Sequence, residues 1–216
     1  NLLAGVTALA TSTNGLSDAL VEDNSIYIGN NPTSTTSTAE YNVAIGTTAL
    51  DAITTGDDNV AIGYDALRNN TTGSSNTASG RSSLNSNTTG ANNVASGSYS
   101  LYSNTTGEKN TASGSYSLLY NSEGNRNTAS GMYSLYSNTT GGQNTAFGYN
   151  ALASANNATN QTMIGYNATG QADNSVVLGN DDVTAVYMGE DSGAKVYAGE
   201  GSFTGDVTIG GDVVVS

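Results

Sequence analysis

The chain has 216 residues, of which 36% are hydrophobic, and its 18 acidic and 5 basic residues give a formal net charge of −13. This charge repels phosphate backbones and anionic lipid headgroups, and it excludes nucleic-acid binding as a function. The chain contains no cysteine and no histidine, which rules out thiol nucleophiles, imidazole catalysis and metal sites built from thiolate or imidazole ligands.

The first predicted segment is a lead-in over residues 1–24. It opens with Asn-Leu-Leu-Ala-Gly and has neither the charged start of a signal peptide nor an initiator methionine, so we expect the natural chain to continue upstream. The sequence contains no run of about 18 apolar residues, the length that a transmembrane helix needs. We therefore expect no membrane insertion.

Residues 25–180 form a tandem array with a 17-residue period. Asn-Val-Ala-Ile-Gly occurs at 42–46 and 59–63, and the related Asn-Thr-Ala-Ser-Gly follows at 76–80 and in later units. We number each unit from this asparagine, so that its glycine is position 5. Self-similarity at a fixed period indicates that copies of one structural unit stack into a rod.

Each unit carries two apolar columns, alanine at position 3 and leucine at position 9. Both columns lie in short alternating segments that end at glycine or at Asn-Thr-Thr-Gly, a pattern typical of strand, turn, strand and turn. The sequence therefore predicts an all-β fold, a parallel β-roll or β-helix solenoid of 17-residue coils with two strands per coil. The predicted structural core consists of Ala44, Ala61, Ala78, Ala95, Ala112, Ala129, Ala146, Leu50, Leu67, Leu84, Leu101, Leu118, Leu135 and Leu152.

A three-sided β-helix is the alternative, but it requires a third apolar column. Position 12 holds Ile53 and then asparagine. We expect these asparagines to form a structural ladder, since side-chain amides stacked about 4.8 Å apart hydrogen-bond to one another. We expect the asparagines at position 1 to shape turns and bond nearby backbone. The Asn-Thr-Thr turns also match the N-glycosylation sequence, but we favour the turn role. The position-12 asparagines are Asn70, Asn87, Asn104, Asn121 and Asn138.

Residues 181–216 form the last predicted segment, which is rich in strand-forming residues such as those of Val-Thr-Ile-Gly-Gly. Acidic pairs occur at 57–58, 181–182 and 190–191, and carboxylate pairs are common calcium ligands. The glycine-rich nonapeptide of calcium-binding β-rolls is absent, however. We therefore expect solvated carboxylates, with no metal site and no cofactor.

Tyrosine is the aromatic residue that the repeats use freely. Tyr99, Tyr116 and Tyr133 recur at position 7, where they share the parity of the leucine column, so we expect a packed ladder or an interchain contact. The other tyrosines of these coils are candidate receptor contacts, because tyrosine rings and hydroxyls suit glycan recognition. These candidates are Tyr102, Tyr120 and Tyr136. No carboxylate pair stands out and the even spacing leaves no room for a pocket, so we predict no catalytic residue and no enzyme activity.

The coils contain little apolar surface to offset the entropy of ordering them. We therefore expect self-association. Alanine at position 3 and glycine at position 5 would make a narrow surface that allows identical chains to approach closely.

The repeats resemble those of a known class of surface proteins. Asn-Val-Ala-Ile-Gly at 42–46 and 59–63, Asn-Thr-Ala-Phe-Gly at 144–148 and Asn-Ser-Val-Val-Leu-Gly at 174–179 are similar to the head repeat of trimeric autotransporter adhesins. The unit of that family is commonly three residues shorter than most units here, and the final step, from Gly165 to Gly179, has that shorter length. The resemblance implies a left-handed β-roll in which three chains pack side by side or intertwine.

The longer unit, the leading segment at 22–29 and the C-terminal segments look more like tail fibres of bacterial viruses. This resemblance covers residues 24–216 and implies a homotrimeric fibre, on the virion, that attaches to a glycan or protein receptor of the host. Such fibres often carry a C-terminal chaperone that cuts itself off. Release would leave an end such as Ser216, and truncation of a longer chain would leave the same end. The alternative is the head domain of a bacterial trimeric adhesin at the cell surface. Ice binding by a flat threonine array is disfavoured, because the Thr-Thr pairs fall in turns.

Overall fold

The computed structural model describes residues 19–22, 24–29, 32 and 38–184. The chain divides into two units, residues 1–183 and 184–216. The expectations of a strand-rich C-terminal segment and of a solvated acidic pair at 190–191 fall on residues outside the described part. The strands of the first unit are β1 Ala19–Glu22, β2 Ser25–Ile28, β3 Val43–Ile45, β4 Val60–Ile62, β5 Thr77–Ser79, β6 Val94–Ser96, β7 Thr111–Ser113, β8 Thr128–Ser130, β9 Thr145–Phe147, β10 Gln161–Ile164 and β11 Ser175–Leu178.

Strands β2 to β11 form one parallel sheet in chain order, and β1 pairs antiparallel with β2 at its edge. Neighbouring strands pair like with like, one 17-residue unit apart, so that Ala61 lies opposite both Ala44 and Ala78. The last step is shorter, with Met163 opposite Val177. This register confirms the predicted all-β solenoid of 17-residue coils.

The prediction of two strands per coil is wrong for the described residues. Each complete coil contributes one strand to the sheet, and the leucine segment consists of turns. Its residues at positions 7 and 9 have left-handed backbone, as in Tyr99 (φ 58°) and Leu101 (φ 50°), which is incompatible with strand geometry. Hydrogen bonds still join the segment to the next coil, for example from the Leu84 N–H to the Ser100 carbonyl at 3.0 Å.

The interior contains the columns of alanine and leucine. The seven alanines at position 3 and the leucines from Leu50 to Leu135 have no exposed surface. Leu152 is half-buried, and it pairs in the next coil with Thr169 instead of a leucine.

A further inward column, at position 8, was not part of the predicted core. Positions 8 and 9 are consecutive, and both face inward because the left-handed residues interrupt the alternation of a strand. The serines of this column are satisfied locally, as in the 2.8 Å hydrogen bond from Ser100 Oγ to the Gly97 carbonyl. The buried position-8 residues are Ala49, Ala66, Ser83, Ser100, Ser117, Ser134, Ala151 and Ala168.

Two asparagine ladders run through the interior. At position 12, Asn104 Nδ2 donates to Asn87 Oδ1 at 2.7 Å, which is the ladder that the sequence predicted. The position-1 asparagines form a second ladder instead of shaping turns: the Asn93 N–H donates to Asn76 Oδ1 at 3.0 Å, and Asn93 Nδ2 donates to the Gly107 carbonyl at 2.8 Å. Position 12 is therefore an inward column of buried amides, in place of the apolar column of a three-sided β-helix. The burial of these side chains also hides the Asn-Thr-Thr glycosylation sequences.

Glycine at position 5 closes the strand and allows the coils to stack. Gly97 has φ of 134°, and a Cβ on it would lie 2.6 Å from the carbonyl carbon of Gly114 in the next coil. Residues with a side chain are excluded both by this backbone conformation and by the close approach.

Across the described residues, no helix is long and apolar enough to cross a membrane.

Candidate functional site: the tyrosine flank

The tyrosine flank is the surface made by positions 6–11 in the three coils 93–109, 110–126 and 127–143. The chain enters each turn after the position-5 glycine and directs positions 8 and 9 into the core. Tyr99 and Tyr102, at positions 7 and 10, remain half-buried at the surface, whereas Ser100 and Leu101 between them are fully buried. The turn therefore presents two tyrosines on the surface of each of these coils.

A ladder of planar groups runs along this flank and continues beyond it in both directions. The ring centroids of Tyr99 and Tyr116 are 5.4 Å apart with an interplanar angle of 2°, and those of Tyr116 and Tyr133 are 5.3 Å apart at 14°. On one side, the Arg81 guanidinium lies 5.6 Å from the Tyr99 ring and 5.8 Å from the Tyr64 ring. These distances are those of favourable aromatic and cation–π contacts.

On the other side, Tyr149 meets Tyr133 edge-on at 6.0 Å and stacks on Tyr166 at 5.5 Å. Sequence reasoning found only the three position-7 members, because the ladder changes column along the rod. The signal was one large planar residue at position 6 or 7 in each of seven successive units. The position-6 members are Tyr64, Arg81, Tyr149 and Tyr166.

The three candidate receptor contacts form a second row beside the ladder. Tyr102 is tilted against Tyr99, with centroids 5.6 Å apart. Tyr136 lies edge-on to Tyr133 at 5.5 Å and to Tyr120 at 5.0 Å. The structure thus brings Tyr102, Tyr120 and Tyr136 onto one surface, together with the ladder.

The phenols of Tyr120 and Tyr136 are joined by a hydrogen bond, in which the Tyr136 hydroxyl donates to the Tyr120 hydroxyl at 3.4 Å. This bond raises the pKa of Tyr136, and burial and the neighbouring phenols raise it further. The cause is that the donor hydroxyl must keep its proton for the bond to exist. The folded state therefore favours the neutral form of Tyr136.

The stacking determines how the flank can meet a ligand. Both faces of the Tyr116 ring are covered by Tyr99 and Tyr133, so no sugar ring can lie flat on it. Ring edges and hydroxyls are what the ladder offers. The second row includes a more exposed tyrosine, since the side chain of Tyr120 is 48% exposed.

A second candidate surface is the outer face of the sheet, made by strand positions 2 and 4. Its middle is polar, as in Thr111 and Ser113 of β7, whereas large apolar side chains are exposed mainly toward its two ends. At each end these side chains lie on neighbouring strands, and contiguous exposed apolar surface marks interaction sites. The exposed apolar residues of this face are Ile26, Ile45, Ile62, Val94, Phe147, Ile164, Val176 and Leu178.

In the part of the chain that the structure describes, the charged side chains do not converge on a metal site. Within the described residues, no three acidic side chains come together as possible ligands. Asp57 Oδ1 accepts the Glu40 N–H at 2.8 Å, and Asp182 Oδ2 accepts from the Asn180 amide at 3.1 Å. These two members of the acidic pairs therefore bond within or between turns.

Two of the five basic residues, Lys109 and Arg126, lie at position 17 of successive coils. They line an open cavity of about 360 Å³ together with Thr106, Glu108 and Asn125. Glu108 lines the cavity together with these cations, so the cavity combines both signs of charge. This mixture is typical of a solvated surface.

Comparisons of the chain with protein families, curated proteins and solved structures give no match. The function therefore has to be argued from the tyrosine flank and the outer sheet face, together with the resemblance of the repeats. Both surfaces run parallel to the stacking direction, so that each coil adds one more element to each surface.

Proposed function

We propose that this protein is the shaft of a homotrimeric bacteriophage tail fibre, which extends from the virion and adheres to the surface of the host. Three left-handed β-solenoids pack side by side in this fibre. Its role is mechanical and adhesive, without enzymatic activity or cofactor. The observation that carries the proposal is the exposed apolar side chains toward the two ends of the outer face of the single sheet.

The outer sheet face is the natural surface for association. Ile45, Ile62 and Ile164 are each about two-fifths exposed, and Phe147 is 61% exposed. Burial of such side chains contributes about 25 cal/mol per Å², and identical chains in parallel register place apolar strands against apolar strands. If one chain were shifted along another, its apolar strands would face the polar middle around Thr111 and Ser113. The polar middle therefore disfavours shifted registers.

This assignment changes which residues make the interface. The sequence predicted alanine at position 3 on the surface between chains, but these alanines are fully buried within their own coil. Positions 2 and 4 point outward instead, because successive side chains of a strand alternate between its two faces. The proposed interface therefore consists of the side chains that flank each alanine.

Light scattering after size exclusion tests the assembly. We expect the wild-type protein to have three times the mass of one chain. The double variant Ile45→Asp/Ile164→Asp should dissociate and have the mass of a single chain. Thr89→Asp/Thr140→Asp is the matched control, because both threonines are exposed in turns away from the sheet, and it should remain trimeric. A monomeric wild-type protein would refute the proposal.

Host attachment is assigned to the tyrosine flank, with Tyr102, Tyr120 and Tyr136 as the receptor contacts. Tyrosine supplies a large contact area at low entropic cost and can donate and accept hydrogen bonds. The flank is made of different positions from the proposed interface, so both surfaces can be used together.

A second candidate function, the head of a bacterial trimeric surface adhesin, is favoured by one observation. The last coil step, from Met163 to Val177, is a 14-residue step that keeps the strands in register, and this is the unit length of that family. The gene sequence downstream separates the candidates: a tail fibre predicts a chaperone there, and an adhesin predicts a coiled-coil stalk and an outer-membrane anchor.

A further inference from the structure

We propose that the tyrosine flank binds an uncharged, linear polysaccharide that lies parallel to the stacking direction, with successive sugars contacting successive coils. This inference rests on the proposed adhesive function and specifies its ligand. It follows from the composition of the flank, from its periodicity and from the orientation of its rings.

The composition of the flank differs from that of the chain as a whole. The three segments 98–103, 115–120 and 132–137 consist only of serine, tyrosine, leucine and methionine. No charged residue occurs in them, although the chain carries a net charge of −13. A surface of tyrosine and serine offers rigid contact area with adaptable hydrogen bonding. The charges of the three coils 93–143 balance, since Glu108 and Glu123 offset Lys109 and Arg126, so these coils have no net charge to attract an ionic polymer. The ligand that fits is polar and uncharged.

The periodicity of the flank favours a ligand that itself repeats. Tyr99, Tyr116 and Tyr133 repeat at 5.3–5.4 Å, a step on the scale of one sugar in an extended chain. An extended peptide repeats its side chains on one face at roughly 6.6–6.8 Å, so it loses register over three coils. An α-helix has a pitch of about 5.4 Å, but helices are recognised by apolar grooves, and the cavities beside Lys109 and beside Asn167 are not lined by tyrosine.

The ring orientation determines the mode of contact. Stacking leaves the ladder with edges and hydroxyls, which suit hydrogen bonds to sugar hydroxyls better than stacking on sugar faces. Tyr102, Tyr120 and Tyr136 form the adjacent row, and the T-shaped pair of Tyr120 and Tyr136 leaves Tyr120 48% exposed. Each coil thus contributes one ladder phenol and one phenol of the second row. A single sugar meets only one such pair, so useful affinity requires a ligand that spans several coils.

Graded oligosaccharides provide the test. The full chain would be titrated calorimetrically with neutral linear glucans, mannans and N-acetylglucosamine oligomers from monomer to octamer, and with anionic hyaluronan oligomers of matching length. We expect affinity for at least one neutral series to rise by about tenfold or more between dimer and hexamer, and hyaluronan to bind more weakly. Affinity that is independent of length, tighter binding of hyaluronan, or no binding of any neutral series would overturn the inference.

Variants assign the binding to the flank. Tyr102→Ala/Tyr120→Ala/Tyr136→Ala should lower the affinity for the hexamer by about tenfold or more, with circular dichroism confirming that the coils remain folded. The corresponding triple phenylalanine variant keeps the rings and removes the hydroxyls, and it should also lose affinity. Tyr41→Ala is the control, since Tyr41 is 58% exposed but lies at position 17, outside the flank. Unchanged affinity in both triple variants would contradict the assignment.

Attachment to cells separates this inference from the proposed function. Labelled wild-type protein and the labelled alanine triple variant would be tested for adhesion to a panel of bacteria. Equal adhesion of the two proteins would show that another surface binds the cells, so the ligand assignment would fail while the adhesive function stood. Wild-type protein that adheres to none of the panel would count against the adhesive function itself.

Discussion

Leu101 and Tyr102 are consecutive residues with opposite roles in the same turn. Leu101 has left-handed backbone and no exposed surface, whereas Tyr102 is half-buried on the tyrosine flank. Leucine in this backbone conformation is uncommon and costs roughly 1–2 kcal/mol. Burial of the leucine offsets this cost, because the turn places the side chain in the core directly after an inward residue at position 8.

We therefore expect Leu101→Asp to unfold the solenoid and Tyr102→Ala to leave it folded. The buried carboxylate would have no partner among the leucines of neighbouring coils, and we expect a loss of more than about 3 kcal/mol in the free energy of unfolding. Thermal unfolding followed by circular dichroism measures both variants. A folded Leu101→Asp protein with wild-type stability would contradict the assigned interior.

The asparagine ladders act at the scale of an element, because each position-12 amide within the ladder bonds to its own coil and to the coils on both sides. Asn104 Nδ2 donates to Asn87 Oδ1 at 2.7 Å and to the Gly107 carbonyl at 3.0 Å, and its Oδ1 accepts from Asn121 Nδ2 at 3.0 Å. Removing one partner from a buried hydrogen bond costs about 1–3 kcal/mol for the group left unpaired. One asparagine therefore stabilises three successive coils.

Asn104→Leu, which has nearly the same size, should lower the free energy of unfolding by about 2–5 kcal/mol, since it leaves buried groups of Asn87 and Asn121 unpaired. Thr106→Ala in the same coil is the control, because Thr106 is exposed, and it should change stability by less than about 0.5 kcal/mol. Urea unfolding compares the two variants. Equal changes in the free energy of unfolding for the two variants would show that the asparagine ladder stabilises the protein no more than an exposed turn residue does.

The phenol pair of the flank predicts a response to alkaline pH. The pKa of Tyr136 is raised mainly by its hydrogen bond to Tyr120, so the folded state favours the neutral phenol. This contribution to stability is complete below the unfolded pKa of about 10 and disappears as the pH rises through the higher folded pKa.

Tyr120→Phe should move the pKa of Tyr136 down toward its ordinary value, because it removes the acceptor. Absorbance of the phenolate during alkaline titration measures the change, with Tyr41→Phe as the control for an exposed tyrosine outside the flank. An unchanged titration of the remaining tyrosines in Tyr120→Phe would argue against the hydrogen bond.

Sequence reasoning at the element scale succeeded where one residue type fills one column. The alanine, leucine and position-12 asparagine columns are of this kind. It failed where geometry depends on backbone conformation: left-handed residues such as Tyr99 and Leu101 turn a predicted strand into a turn, and they make positions 8 and 9 both inward. The sequence did not predict the full planar ladder for a related reason. Arg81 at position 6 and Tyr99 at position 7 belong to different columns, but they stack on each other in the structure.

At the scale of the whole molecule, the solenoid is a sum of coils and nearest-neighbour contacts. Deletion of residues 93–109, one complete coil, places β5 beside β7 and brings Ala78 opposite Ala112. We expect this protein to fold with nearly the same circular dichroism per residue and a modest fall in melting temperature. Deletion of residues 93–100 is the control, because it shifts every later column out of register. Similar stability of the two deletions would contradict a solenoid built from identical coils.

The sequence by itself determined the period, the parallel stacking of like on like and the residue types of the core, because a fixed spacing leaves each column only one neighbour above and one below. The tertiary structure decided which face each column takes. Left-handed turns redirect side chains in a way that strand alternation does not predict, and so only the folded coil shows positions 8 and 9 both inside, isoleucine on the outer face of the sheet and a planar ladder that changes column along the solenoid.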